Sequence, residues 1–448
     1  MKTDVLVIGG SATGLVAAMT AKSHYPDKSV TVVRRDEKVM VPCGIPYIFG
    51  TVKTSDNNVL PDEGLRKLGV TIVIDEVLSV DKANKQCTLK NTDAITYDKL
   101  ILGVGSQPVV PGWLPGTGLK KVFTIQKSKT YLDQLQQELE GCQKIAVIGA
   151  GFIGVEVSDE LVKIGKDVTL FEILPHVLGQ TFDDEFAVEA EKILASRQVK
   201  VVTGIGVSAL LGDDAVRQLQ LSDGTLIDVD AVILSMGYKA STELAQAMGL
   251  EINAFGFIKA DQYRRTSAPD IFAAGDCAEK VDFATGKLSR VMLASTACTE
   301  GRIAGLNLYG LDTYSTFKGT VGIYFTFIGD TGFGVAGLTE KQAQSEGFNV
   351  VTGTFSGIDR HPGKISDVHA QTVKLIVSYK SGVILGGAAI GGKSLGELVN
   401  VIGVAIQNHM TVHDLMMTQI GTHPLLTASP AGYPLIKAAE IVANKLRG

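Results

Sequence analysis

Cysteine is scarce in this sequence. There are five in 448 residues, Cys43, Cys87, Cys142, Cys277 and Cys298. They are odd in number and widely spaced, and no CxxC occurs, which excludes a disulfide framework and a zinc site and sets the metal expectation to none. A reduced, cytoplasmic protein is expected. Long apolar runs are lacking too: none reaches the roughly 18 residues that span a bilayer. The opening MKTDVLVIGG enters a strand at once, so no signal peptide is expected. Basic residues are not in excess. The net charge of −5 argues against nucleic acid and against an anionic membrane surface as partners.

Glycine is what the chain has in plenty, at 50 residues. No low-complexity tract accompanies it, so the glycines belong to turns and close backbone contacts rather than to a linker. Apolar residues make up 45% and charged residues 20%, as in ordinary globular proteins. A chain of 448 residues is too long for one core, and two or three domains are expected.

Three stretches carry the organisation. In DVLVIGGSATGLVAAMTAKSHYPDKSVTVVRRD, a strand at residues 4–8 leads through Gly9, Gly10, Ser11, Ala12 and Gly14 into a helix and a second strand at 29–33. This is a βαβ unit with an imperfect GxGxxG, Ser11 standing for the second glycine. In KIAVIGAGFIGVEVSDELVKIGKDVTLFE, Gly149, Gly151 and Gly154 fit GxGxxG fully, and Glu172 closes the next strand. Glycines there let the backbone approach a pyrophosphate at a helix N-terminus. A carboxylate at Glu172 would accept from both ribose hydroxyls and repel a 2′-phosphate, favouring NADH over NADPH. In RRTSAPDIFAAGDCAEK, a short strand at 271–274 is capped by Gly275 and Asp276. That places Asp276 at the end of a strand where open α/β sheets bind ligands. The second unit fits between residues 113 and 245, so one nucleotide domain is expected inside another.

Together with KLILGVGSQPVVPG, these stretches resemble the FAD-dependent pyridine nucleotide-disulfide oxidoreductases over nearly the whole chain. The resemblance implies an α/β fold of two Rossmann-like domains, one inserted in the other, plus a C-terminal α+β dimerisation domain. The expected division is an FAD-binding domain at 1–112 and 246–317, an NADH-binding domain at 113–245 and the dimerisation domain at 318–448. FAD would lie on the first glycine turn, with Gly105 and Gly237 added to the cofactor-binding set and Asp276 meeting the ribitol. NADH would lie on the second, with Phe152 covering the flavin, Ile153 in the turn and Glu156, four residues on, holding the carboxamide. Family members carry an acid near Val33. Here the row is VVRRDE, which leaves Asp36 or Glu37 to take over at the adenosine ribose.

The two-cysteine members carry CxxxxC, but Lys38 and Ile48 stand five positions either side of Cys43. The segment CGIPY instead resembles the single-cysteine branch: coenzyme A-disulfide reductase, NADH oxidase and peroxidase, and persulfide or polysulfide reductases. That branch implies a redox thiol at Cys43 beside the flavin, cycling between thiolate and a mixed disulfide or sulfenic acid. A helix N-terminus after Gly44 would lower its pKa. Oxidases and peroxidases of the branch carry a histidine where this chain has Ala12, which favours the disulfide and polysulfide reductases. His423, in an HP segment like that of the two-cysteine reductases, would protonate a leaving thiolate from the partner subunit, with Tyr47 and Tyr433 as further hydroxyl donors. Lys22 is a candidate for a coenzyme A phosphate. The expected activity is NADH-driven reduction of a small disulfide or polysulfide by a homodimer. Oxygen reduction, or a flavin-bearing NADH-binding subunit or redox sensor acting through a protein partner, are the alternatives the residues leave open.

Overall fold

The computed structural model describes residues 1–311 and 314–447. The strand Lys2–Ile8, the helix Ala12–His24 and the strand Val30–Arg34 build the first βαβ unit, with Val5 to Ile8 paired in parallel to Val30 to Val33. Val5, Leu6 and Val7 are fully buried, as expected of a parallel strand covered on both faces. The sheet has seven strands. The late strand Ile271–Ala273 joins it in parallel beside Ile95–Leu102. The helix Ala294–Leu306 packs along Ala12–His24, where a side chain at Gly301 would run into the Thr13 carbonyl.

Strands from Val122–Thr124 to Ala231–Leu234 form a separate five-stranded sheet. Its pairings are parallel throughout. The chain leaves the first sheet through Ser106–Pro108 and returns through Tyr238–Ala240, and these two segments pair with each other as an antiparallel ribbon. One Rossmann-like unit is thus inserted in the other. The inserted unit also carries a three-stranded antiparallel sheet, Val207–Leu211, Gln218–Leu221 and Leu226–Asp228, and the last sheet is antiparallel, five-stranded, and runs from Ile323–Ile328 to Ile384–Gly391. The helices Leu395–Gln407 and Pro434–Arg447 pack on it over a core of Val373, Leu375, Val399, Ile402, Leu435 and Val442.

This last unit is keyed to the inserted one by charge. Lys374, almost fully buried, pairs with Asp183, Glu185 and Glu340 at 3.0, 2.6 and 2.8 Å. The edge strand Ile323–Ile328 reaches the helix Phe152–Lys163. The C-terminal unit therefore forms one wall of the space between the two nucleotide folds. No helix among the described residues is long and apolar enough to cross a membrane.

Candidate active site

One cavity of about 2050 Å³ joins the two glycine turns. Ordinary small-molecule pockets run to roughly 300–1,000 Å³, so the space is of a size for more than one dinucleotide-like ligand. Its wall includes Gly9, Gly10, Ser11, Ala12, Asp36, Cys43, Tyr47, Gly105, Gly149, Gly151, Phe152, Ile153, Glu156, Glu172, Gly237 and Asp276. Of the residues singled out from sequence, Gly14, Lys22, Glu37, Gly154, Gly275, His423 and Tyr433 lie off it. Gly14 and Gly154 instead seat their helices, since a Cβ at either would collide with the carbonyl of Gly9 or Gly149. His423 sits on an exposed loop, where its Nδ1 accepts from the Leu425 N–H at 3.2 Å. A single chain does not bring it to Cys43.

Both turns are shaped by positive φ. Gly9 has φ +113° and packs on the Gly103 carbonyl, and Gly149 has φ +99° and packs on the Ser235 carbonyl. The Glu172 carboxylate accepts from the Ala150 N–H at 2.7 Å and the Leu174 N–H at 3.0 Å. It thus ties the second turn to its strand, and a carboxylate retains further lone pairs for a ribose.

Cys43 lies in the one-turn 3₁₀ segment Pro42–Gly44, followed by a second, Pro46–Phe49. The expected helix N-terminus after Gly44 is not there. Prolines at Pro42 and Pro46 start short turns, and none is long enough to build a useful dipole. Cys43 keeps solvent access in the isolated chain, yet its thiol is raised above the ordinary value, by burial first and by Glu156 next, with Lys127 opposing. Protein groups of this chain alone do not favour the thiolate.

Glu156 is the most perturbed carboxyl of the cavity. Burial pushes it up to about 8, against the opposing effect of the Thr326 and Tyr47 hydroxyls. Tyr47 is itself raised, by burial and then by Glu156. At Asp276 burial also resists ionisation, but Lys127 and Ser106 outweigh it and hold the carboxyl below its usual value. Ser106 donates to Asp276 at 2.7 Å and Lys127 at 3.1 Å. Phe152 stacks on Tyr324, with centroids 5.3 Å apart and planes within 7°. Lys22 is occupied: its ammonium donates to the carbonyls of Pro26 and Lys28, closing the end of its own helix. Tyr433 packs against the C-terminal core.

Two nucleotide folds with a thiol in the cleft between them are the arrangement of a two-electron relay, and residues 3–301 match the pyridine nucleotide-disulphide oxidoreductases. The chain belongs to that family. Residues 324–431 match the family's dimerisation domain. An NADH oxidase of Methanocaldococcus jannaschii is 29% identical over 456 residues, covering 98% of this chain and 99% of the relative. A CoA-dependent NAD(P)H sulfur oxidoreductase of Pyrococcus abyssi is 28% identical over 448 residues, covering 99% and 98%. The solved NAD-dependent persulfide reductase from A. fulgidus superposes with a TM-score of 0.91 at 30% identity, covering 100% of this chain and 84% of that one. Members of this family use a flavin and a nicotinamide nucleotide, and the chain is an NAD(P)H-dependent oxidoreductase.

Several residues of the cavity carried no sequence signal. Lys127 and Ser106 sit in no motif, yet both contact Asp276. Thr326 and Tyr324 come from the C-terminal sheet and meet Glu156 and Phe152 across domains. A positive charge after a nucleotide-fold strand, 22 residues before Gly149 and facing Asp276, was legible only as one of many lysines.

Proposed function

We propose that the chain is an FAD-dependent NADH oxidoreductase that reduces a small disulfide or polysulfide, coenzyme A disulfide among them, through Cys43. The observation that carries this reading is the position of Cys43 in the cavity wall between the two glycine turns, with no second cysteine five residues away on either side. FAD rather than a mononucleotide is favoured because the wall continues from Cys43 past the first turn to Arg34, Asp36 and Asp75. The glycine cradle at Gly9 and Gly10 fits a pyrophosphate there. Asp276 would take the ribitol, and Glu172 the NADH ribose. When bound, the flavin supplies the two-electron link between nicotinamide and sulfur.

The protein's own part is sulfur chemistry and protons. The Cys43 thiolate attacks one sulfur of the acceptor. That S–S bond breaks, a new one forms to Cys43, and the other half leaves as a thiolate. His423 of the partner subunit, or Tyr47, delivers the proton. NADH supplies two electrons and a hydrogen which, with one proton from solvent, cleave the mixed disulfide into the Cys43 thiol and the second acceptor thiol, which leaves. We assign the working unit as a cytoplasmic homodimer joined through residues 318–448, with the FAD unit at 1–112 and 246–317 and the NADH unit at 113–245. Exposed Met417, Leu425 and Leu426 support an interface there, beside His423.

The test is anaerobic. The NADH-reduced protein is mixed with coenzyme A disulfide and then with polysulfide, and flavin absorbance is followed in parent and Cys43→Ser. The expected result is rapid reoxidation by the parent, while Cys43→Ser accepts hydride from NADH but stays reduced. Full disulfide turnover by Cys43→Ser would sink the mechanism. Reoxidation only on admission of air would assign an oxidase, and none with any small acceptor would assign a protein partner.

A further inference from the structure

Cys43 belongs by chain order to the first nucleotide unit, yet its segment packs on the inserted one. Met40, Ile45, Ile48 and Phe49 share one buried core with Leu132 and Leu161 of the inserted unit. The hydrogen bonds follow the same line. Gln136 Nε2 donates to the Ile48 and Lys53 carbonyls at 3.0 and 3.2 Å, and Ser55 donates to Asp133. The firmest tie comes from Glu160, on the helix Phe152–Lys163 that opens at the second glycine turn. Glu160 is fully buried, and a carboxylate in such a place is stable only when its oxygens are paired. They accept from the Thr51 N–H and, at 2.8 Å, from Thr51 Oγ, with the Lys163 ammonium completing the set. Gly50 lies so close that an added Cβ would stand 2.7 Å from Glu160 Oε2 and 2.7 Å from the Glu160 carbonyl oxygen. Both Gly50 and Thr51 directly follow the turn Pro46–Phe49 behind the thiol.

We infer that Glu160 is a positioning residue for the Cys43 thiol. It pins the turn behind the thiol to the helix whose first two turns, with Phe152 and Glu156, line the cavity. Sulfur and nicotinamide site are thereby held to one element, although they lie in different units by chain order. Glu160 itself is absent from the cavity wall, so it acts through the turn and touches neither acceptor nor cofactor. A displacement of the sulfur by about 1 Å is enough to cost up to about a hundredfold in rate. The inference rests on the reading of Cys43 as the redox thiol.

Two variants cut the tie from opposite sides. Glu160→Leu keeps volume in the helix and removes the acceptors, with Lys163 still paired to Asp159 at 3.0 Å. Gly50→Ala leaves the helix intact and pushes the turn off it. Each holoprotein is reduced anaerobically with NADH and mixed with coenzyme A disulfide. Iodoacetamide labelling of Cys43 is timed separately, by peptide mass spectrometry without NADH or acceptor. In both variants flavin bleaching by NADH is expected to stay within about twofold of the parent, while reoxidation by the disulfide slows at least about tenfold. Cys43 labelling is expected to quicken, as the turn leaves the burial that raises the thiol. Glu160→Gln, which keeps an acceptor for the Thr51 N–H, should recover most of the loss. Parent-like reoxidation and labelling in Glu160→Leu and Gly50→Ala would overturn the inference. So would equal slowing of bleaching and reoxidation, which would mark a general effect on the helix. Reoxidation of Cys43→Ser at the parent rate would overturn the reading of Cys43 instead, and the labelling rates would then decide by themselves whether Glu160 holds the turn.

Discussion

At the scale of the residue, Glu156 and Cys43 set the chemistry of the cavity by opposing one another. Glu156 is buried and pushed up to about 8, so near neutral pH it is protonated and adds no negative charge of its own beside the thiol. As pH rises through that value the carboxylate forms and disfavours the Cys43 thiolate. Glu156→Gln is therefore expected to raise the rate of Cys43 alkylation relative to the parent above about pH 8, and to leave it unchanged near pH 6. Iodoacetamide kinetics across that range measure it; identical profiles would remove Glu156 from the environment of the thiol. The sign for stability follows from the same shift. An unfolded glutamate ionises near about 4.3, so between that pH and about 8 the folded state holds the extra proton, and stability falls as pH rises. The variant's melting temperature should gain on the parent's from pH 5 to pH 8.

At the scale of the element, the glycine turns were legible because a strand, a tight turn and a helix N-terminus are local in sequence. Strand limits expected at 4–8 and 29–33 are observed at Lys2–Ile8 and Val30–Arg34. Local reasoning failed at Cys43, where a helix was expected and two proline-started 3₁₀ turns stand. The second turn offers a clean test. Gly149 has φ +99° with the Ser235 carbonyl at its back. Gly149→Ala adds about 1–2 kcal/mol of backbone strain and pushes the turn off its strand. NADH reduction of the flavin should then require at least about tenfold more NADH, while flavin content stays at the parent level because the first turn is untouched. Stopped-flow flavin bleaching against NADH concentration reads this directly. Loss of flavin together with NADH affinity would show that the two sites are not separable.

At the scale of the whole molecule, the cavity is a product of three units and the proposed proton donor of a fourth surface. Tyr324 and Thr326 enter from the C-terminal sheet, and Lys374 ties that sheet to the inserted unit through Asp183. His423 stands away from Cys43 within one chain. If it serves the partner's thiol, mixing Cys43→Ser and His423→Ala subunits restores one intact site in each heterodimer. Activity after random exchange should then approach about a quarter of the parent's, from two inactive parents. No recovery, with heterodimers verified by mass spectrometry, would confine His423 to its own chain or to no role at all.

Periodicity, glycine spacing and a cysteine without a CxxxxC partner determined by themselves that two nucleotide folds lie along this chain, one inside the other, with a thiol near the first. Each nucleotide fold is written within about thirty residues, the length of a βαβ unit. Tertiary structure alone decided which side chains tune that thiol and its ligands. Lys127 meets Asp276 across 149 residues, and Arg34 meets Asp62 from a neighbouring segment that carries no motif. Such pairs form where burial makes an unpartnered charge costly. Burial is a property of the packed whole, so no spacing rule in the chain announces it.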